Sequence, residues 1–163
     1  MTENSTSVTN KEFIFLCVVD NSPELSRALR FSCKRAKRVG GRVALAYVIP
    51  PAEFQHWLGV GELMQEEARE DAETLLDAAA KDVVELTGKL PMFFVRQGNT
   101  ATELIELINE EDTISLLVLG AASGKDGPGP LVKYMVENAA GKLQVPVTIV
   151  PGNLTDEHID SIT

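Results

Sequence analysis

A loop rich in glycine and proline is the part of this sequence best suited to hold a ligand. An apolar run, Ile114–Leu119, stops at Gly120, and a helical pattern resumes near Leu131. The small residues between them include Ala122, Ser123 and Gly124. Glycine lets a backbone approach phosphate closely, and the following helix N-terminus offers free N–H groups. The same glycines would also turn a strand into a helix, and their spacing alone does not separate the two interpretations.

Two stricter phosphate-binding motifs do not fit this loop. A P-loop has four residues between its first glycine and a Gly-Lys pair, which Ser or Thr follows. Here three residues separate Gly120 from Gly124, and Asp126 follows Lys125 where the magnesium-binding hydroxyl would stand. The dinucleotide pattern G-x-G-x-x-G also fails, and it normally follows the first strand of its domain rather than the fourth.

Other side chains that could do chemistry are few and scattered. Cys17 lies in a strand-like run and Cys33 in a helical stretch, which predicts buried free thiols in a reducing compartment. His56 and His158 lie in polar or terminal segments, where we expect surface histidines. Apart from Asp126, no residue near the loop has a pattern that would activate water. The sequence therefore predicts no catalytic residue, no metal site and no enzyme activity.

Five apolar segments alternate with helical patterns, which predicts an α/β fold with a doubly wound parallel sheet and helices on both faces. The predicted strands are Phe13–Val19, Val43–Ile49, Met92–Arg96, Ile114–Leu119 and Val145–Val150. The predicted helices start at Ser22-Pro23, run from about Glu62 to Thr87, start at Thr100, and run from Leu131 to about Lys142. Ser22 is the expected N-cap of the first helix, and Thr100 with Glu103 forms an expected capping box.

One domain, residues 12–151, accounts for all of these elements. Residues 1–11 form a polar arm that we expect to be disordered, and residues 152–163 form an acidic C-terminal tail. A loop that carries His56 and Trp57 separates the second strand from its helix. Trp57 and Met64 could cover a ligand, but we expect them to cap the sheet.

The composition is that of a globular domain with an excess of acid. The 163 residues are 44% hydrophobic and carry a formal net charge of −9. No apolar run is long enough to span a membrane, and the N-terminus has no apolar signal region, so we expect a cytoplasmic protein. A basic cluster between Arg27 and Arg42 is matched by an acidic segment between Glu62 and Asp77, and we expect two solvated helix faces that could face one another rather than a nucleic-acid surface.

The segments from Phe13 to Pro151 together resemble the universal stress protein family. VVDNSPELSRAL is similar to the first strand and helix of that family, and VALAYVIPP to its second strand. RQGNTATELIELI, LVLGAASG and QVPVTIVP are similar to the segments that follow in the same order. The resemblance implies a five-stranded sheet of order 3-2-1-4-5 and a homodimer joined through the last strand.

The resemblance also implies an adenine-nucleotide cofactor, ATP or AMP, with Asp20 bonded to a ribose hydroxyl and the Val48 backbone beside the adenine. The phosphates would lie on the loop after the fourth strand. The site residues expected from this are Val19, Asp20, Val48, Gly120, Ala122, Ser123, Gly124, Lys133 and Tyr134. Asp20 has an ordinary alternative role as the cap of a turn, and Lys133 as a solvated helix residue.

The phosphate motif of the family, G-x-x-G, nine residues, then G-[S/T], is incomplete here. Gly120 fits the first glycine, but Ser123 stands in place of the second and Lys133-Tyr134 in place of the final pair. Ser123 adds a side chain where phosphate must approach, whereas Lys133 adds a positive charge that could replace donated hydrogen bonds. Two prolines, Pro128 and Pro130, favour a formed loop over a mobile lid.

Several functions remain open from the sequence. The leading hypothesis is a small dimeric stress-response protein that acts through partner proteins and has a degenerate ATP site. The alternative is a true ATP- or AMP-binding switch that signals to partners. A slow ATP hydrolase is the weakest candidate because no group to activate water is evident. A flavin carrier would need a phosphate loop after the first strand, where only DNSPE stands.

Overall fold

The computed structural model describes residues 11–51 and 61–163, which form a parallel sheet between two layers of helices. The strands are β1 (Ile14–Val18), β2 (Arg42–Ile49), β3 (Met92–Gln97), β4 (Ile114–Ala121) and β5 (Val147–Pro151). The α-helices are α1 (Leu25–Val39), α2 (Gly61–Thr87), α3 (Thr100–Glu110), α4 (Pro130–Asn138) and α5 (Asp156–Ile162). The strands pair in parallel in the order β3-β2-β1-β4-β5, which confirms the expected fold class and strand order.

The core consists of two apolar layers, one on each face of the sheet. Alternate residues of β1 pack in one layer or the other, because successive side chains of a strand point to opposite faces of the sheet. Leu16 packs in the layer that α3 and α4 cover, and Phe15 packs in the layer that α1 and α2 cover. The central strands β1 and β4 are buried on both faces, which is why they read as continuous apolar runs.

Helix α1 begins later than the sequence predicts. Ser22 is not its N-cap, because the Ser22 hydroxyl donates a hydrogen bond back to Asp20 Oδ1 at 2.6 Å. The chain makes a turn in which the Leu25 N–H donates to the Ser22 carbonyl, and Glu24 takes the N-cap position without a side-chain hydrogen bond. The Asp-x-Ser pattern thus forms a side-chain turn that competes with the cap.

The cap of α3 differs from the expected position as well, by one residue. Asn99, not Thr100, is the N-cap, and its side chain accepts a hydrogen bond from the Thr102 N–H at 3.1 Å. The predicted Thr100–Glu103 capping box is therefore wrong. Asparagine ranks above threonine at this position, and Asn99 has the extended backbone of an N-cap.

The fourth strand is longer and the fourth helix shorter than predicted. β4 continues through Gly120 to Ala121, and Gly120 pairs with Val150 of β5. Helix α4 ends at Asn138, and a single 3₁₀ turn, Ala139–Gly141, follows it. Gly120 is therefore part of the sheet rather than the first residue of the loop.

The acidic tail contains a helix that the sequence pattern does not predict. Thr155 is the N-cap of α5, and its hydroxyl accepts a hydrogen bond from the His158 N–H at 3.1 Å. Ile159 is fully buried, and the helix packs against α1. The last residues described are therefore packed onto the domain.

The basic cluster between Arg27 and Arg42 has different partners from those expected. Arg27 forms an ion pair with Asp156, and Arg30 makes two hydrogen bonds with Asp160, at 2.8 and 2.7 Å. Arg42 pairs with Glu12 at 3.3 Å. In residues 11–51 and 61–163, the ion pairs of this cluster go to α5 and to the start of the chain, not to the acidic face of α2.

Some expectations lie outside the described residues. These are the polar arm up to residue 10 and the loop that carries His56 and Trp57. Within the two described segments, no helix is both long and apolar enough to cross a membrane.

Candidate functional site

A cleft of about 640 Å³ opens at the carboxyl ends of β1, β2 and β4. In open parallel sheets, ligands bind at this edge, where the strand order reverses. The volume falls in the ordinary range for small-molecule sites. The expected site residues that line the cleft are Val19, Asp20, Val48, Gly120, Ala122 and Tyr134. Ser123, Gly124 and Lys133 are exposed and are not among the lining residues.

Asp20 lies just after β1, at the centre of this edge. Its Oδ1 atom accepts hydrogen bonds from the Ser22 N–H at 2.9 Å and from the Ser22 hydroxyl at 2.6 Å. The ordinary role of Asp20 as a turn cap is therefore observed. Oδ2 has no hydrogen-bond partner among the described residues, so this oxygen remains able to accept a bond from a ligand hydroxyl.

Gly120 has a steric role in the wall of the cleft. A Cβ atom at this position would lie 2.8 Å from the Glu24 carbonyl oxygen and 2.9 Å from the Glu24 Cβ. Gly152 meets the same side chain, since an added Cβ would lie 2.7 Å from the Glu24 Cγ. The two glycines let the N-terminus of α1 approach β4 and the segment after β5, which brings Glu24 to the cleft.

The start of α3 forms a wall that sequence reasoning missed. Asn99, Thr100 and Ala101 line the cleft beside Val48. They follow β3, whose carboxyl end lies next to that of β2 in the sheet. Their position directly after a predicted strand could have identified them, because parallel strands present all their carboxyl ends at one edge of the sheet. Tyr47, on β2, is a second lining residue that was missed.

The loop between β4 and α4 is closed by its own hydrogen bonds. The Ala122 N–H donates to the Pro128 carbonyl at 3.1 Å, and the Gly127 N–H donates to the Gly124 carbonyl at 3.4 Å. Gly127 and Gly129 have φ angles of 84° and 101°, which glycine adopts readily. Pro128, Gly129 and Pro130 line the cleft, whereas the polar tip of the loop does not.

The two tyrosines of the cleft lie in different surroundings. Burial raises the pKa of Tyr47, and the negative charges of Asp71 and Asp20 raise it further. The Tyr134 hydroxyl accepts a hydrogen bond from Lys142 Nζ at 3.3 Å, and that ammonium lies 5.7 Å from the centre of the Tyr134 ring. The Tyr47 phenol, whose pKa is raised, is therefore neutral near pH 7.

The cysteines and histidines show no sign of chemical reactivity among the described residues. Cys17 and Cys33 are free and buried, and burial raises the pKa of each thiol to about 12. A thiol in that state is not a nucleophile at neutral pH. His158 is exposed on α5, and His56 lies outside the described residues. Among residues 11–51 and 61–163, no group of three or more His, Cys, Asp or Glu side chains is arranged to hold a metal ion.

A doubly wound parallel sheet with a cleft at its switch point defines a class of α/β ligand-binding domains. The model of the "Universal stress protein family" matches residues 14–151, and the chain belongs to this family. No curated protein matches the sequence closely.

Solved structures with the same fold include members of this family. One is the universal stress protein UspA from Lactobacillus plantarum, with a TM-score of 0.70 at 18% identity over 86% of this chain and 98% of that one. A universal stress protein in complex with cAMP has a TM-score of 0.60 at 19% identity, with the same two coverages. A third, from Archaeoglobus fulgidus in complex with dAMP, has a TM-score of 0.57 at 16% identity, also over 86% and 98%.

Proposed function

We propose that this protein is a stress-response protein that binds an adenine nucleotide in the cleft, at a degenerate site, and acts through partner proteins. The observation that carries the proposal is the convergence of Asp20, Val48 and Gly120 on one cleft at the carboxyl edge of the sheet. The cAMP and dAMP complexes of two proteins with the same fold support an adenine ligand.

The adenosine end of the ligand would lie against β1, β2 and the start of α3. The free Oδ2 of Asp20 would accept a hydrogen bond from a ribose hydroxyl. Val48 and Ala101 would supply apolar contacts to the base, and the Val48 backbone lies at the end of the strand where an adenine edge could bond to it. These three residues line the same cleft, which supports the assignment.

The phosphate end of the site is the degenerate part. Ser123, Gly124 and Lys133 are exposed and do not line the cleft, so these expected phosphate contacts have little support. The ligand would therefore be held mainly through its base and sugar. We expect weak binding compared with a site that also holds the phosphates.

We further propose that the protein is not an enzyme and works in the cytoplasm. The lining residues with acidic side chains are Asp20 and Glu24, and one oxygen of Asp20 is already held by Ser22. A hydrolase would also need a cation to hold the phosphate and stabilise its developing charge, and the described lining residues include no Lys, Arg or His.

A homodimer through β5 completes the proposal. β5 pairs with β4 on one side only, so it is an edge strand that can pair with a second strand. Its Ile149 side chain is 37% exposed. A net charge of −9 and a basic cluster partly paired with α5 argue against nucleic acid as the partner.

The experiment that tests the adenine site is a thermal melt with and without AMP, together with chromatography of any nucleotide released by denaturing the purified protein. A ligand at about 100 times its dissociation constant stabilises the folded state by about 2.7 kcal/mol, which is easily detected. We expect AMP to raise the melting temperature and Asp20→Ala to abolish that rise. Asp126→Ala removes the same charge from the loop tip, outside the lining residues, and should keep it.

Two results would contradict the proposal. One is the absence of any AMP-dependent shift at millimolar concentration together with no adenine compound in the released fraction. The other is an AMP-dependent shift that Asp20→Ala leaves intact, since the nucleotide would then bind somewhere other than this cleft.

A further inference from the structure

The charged residues that are described as lining the cleft are acidic, and negative charge repels phosphate. The charged side chains among its described lining residues are the carboxylates of Asp20 and Glu24, and that set includes no Lys, Arg or His. Neither carboxylate forms an ion pair with a described residue. Lys125, within the loop between β4 and α4, and Lys133, on α4, are exposed and are not lining residues.

The helix N-termini at the cleft offset these carboxylates only in part. A helix N-terminus attracts anions through its free N–H groups and its dipole. Glu24 occupies the N-cap of α1, and Glu103 lies in the first turn of α3. Helix α4 begins with Pro130, which has no N–H to donate, so the donors of its first turn that line the cleft are the N–H groups of Leu131 and Val132.

Two backbone N–H groups of the loop between β4 and α4 are already bonded within the loop and are not offered to a phosphate. The N–H groups of Ala122 and Gly127 bond to carbonyls of the loop itself, and Pro128 has no N–H. The side of the loop that lines the cleft is Pro128, Gly129 and Pro130, so its surface there is mostly apolar. Polyphosphate recognition depends on several converging N–H groups or cations.

We propose that the cleft selects an uncharged nucleoside, adenosine, and that each added phosphate weakens binding; this rests on the proposed adenine site. The base and sugar keep the contacts already described. A phosphate chain would extend toward a wall that carries Glu24 and lacks a facing cation among the described lining residues.

Isothermal titration with adenosine, AMP and ATP in magnesium-free buffer tests this order of affinity. We expect adenosine to bind at least about tenfold more tightly than ATP, which corresponds to about 1.4 kcal/mol, with AMP between them. Raising the salt concentration should strengthen ATP binding, because screening weakens the repulsion. A site built on cations would show the opposite dependence on salt.

A pair of matched variants tests whether Glu24 causes the weaker binding of ATP. Glu24→Gln keeps the shape of the side chain that packs on Gly120 and removes its charge. It should therefore reduce the difference in affinity between adenosine and ATP. Glu137→Gln changes the net charge equally on an exposed position of α4 that does not line the cleft, and it should leave that difference unchanged.

The outcomes separate this inference from the proposed function. If ATP binds as tightly as adenosine or more tightly, and Asp20→Ala abolishes binding, the adenine site stands and the selection against phosphate is wrong. The selection by Glu24 is equally wrong if both glutamate variants reduce the difference in affinity to the same extent. If neither adenosine nor AMP nor ATP binds, the adenine site itself is wrong and this inference falls with it.

Discussion

At the level of single residues, Gly120 illustrates how a motif can be present for a reason other than phosphate. It fits the first glycine of the family's phosphate motif, and it does line the cleft. Its absent side chain, however, makes room for the backbone and Cβ of Glu24. Gly124, four residues later, has nothing within 4 Å of an added Cβ and has no positive φ. The two glycines therefore differ in what they contribute to the fold.

This contrast predicts opposite results for one substitution at two positions. Gly120→Ala should lower the free energy of unfolding by about 1–3 kcal/mol, as overpacking does, because the new methyl group would collide with the Glu24 carbonyl. Gly124→Ala should change it by less than about 0.5 kcal/mol. Urea denaturation followed by circular dichroism measures both. Equal and small effects would mean that α1 shifts to accept the methyl group and that the close approach is not required.

At the level of secondary structure, the sequence predicts the elements that are apolar enough to show their own period. All five strands are apolar segments, and α1 to α4 have inward faces that repeat along the helix. Helix α5 was not predicted because its sequence, DEHIDSI, has a single buried position, Ile159. What holds α5 on the domain is the burial of Ile159 together with ion pairs to Arg27 and Arg30 of α1, and contacts so distant in sequence leave no local pattern.

The candidate site was predictable to a similar extent. Asp20, Val48 and Gly120 end strands, and strand ends meet at one edge of a parallel sheet whatever the details of packing. Whether Ser123 and Lys133 face the cleft depends on how the loop folds on itself. The Ala122-to-Pro128 hydrogen bond and two glycines with positive φ decide that, and neither follows from residue spacing.

The contact between α1 and α5 gives the stability a defined dependence on pH. The Arg30 guanidinium lowers the pKa of Asp160 below its ordinary value of 3.8, and Asp160 in turn raises the pKa of Arg30. A carboxyl group whose pKa is lowered by folding stabilises the protein above its unfolded pKa. That contribution is lost as the pH falls through the lower, folded value.

Asp160→Asn should therefore reduce the urea midpoint at neutral pH, and the difference from the parent should shrink as the pH falls below 3.8. Arg30 stays protonated throughout this range, so the change reports on Asp160 alone. Asp126→Asn removes an equal charge from an exposed loop residue that forms no ion pair with a described residue, and it should keep the urea midpoint of the parent at neutral pH. A difference for Asp160→Asn that stays constant down to the lowest pH would mean that packing, not charge, is responsible.

At the level of the whole molecule, the sheet has two edges, and both are partly apolar. β3 forms one edge and exposes Phe93 and Val95, which are 49% and 50% accessible. β5 forms the other edge and exposes Ile149. Exposed apolar strands at an edge tend to be covered by another chain. Exposure alone would favour β3, whereas the proposed homodimer uses β5.

Charged substitutions at the two edges decide between them. Ile149→Lys puts a positive charge on β5, and because an unpaired charge at an interface opposes association, we expect a monomer. Val95→Lys makes the same kind of change on β3 and should leave the dimer intact. Sedimentation velocity at several protein concentrations measures the oligomeric state of each variant, and a thermal melt checks that each is folded.

A parent protein that is monomeric at high concentration would rule out the dimer. If Val95→Lys rather than Ile149→Lys gave the monomer, the interface would lie at β3, at the opposite edge of the sheet from β5.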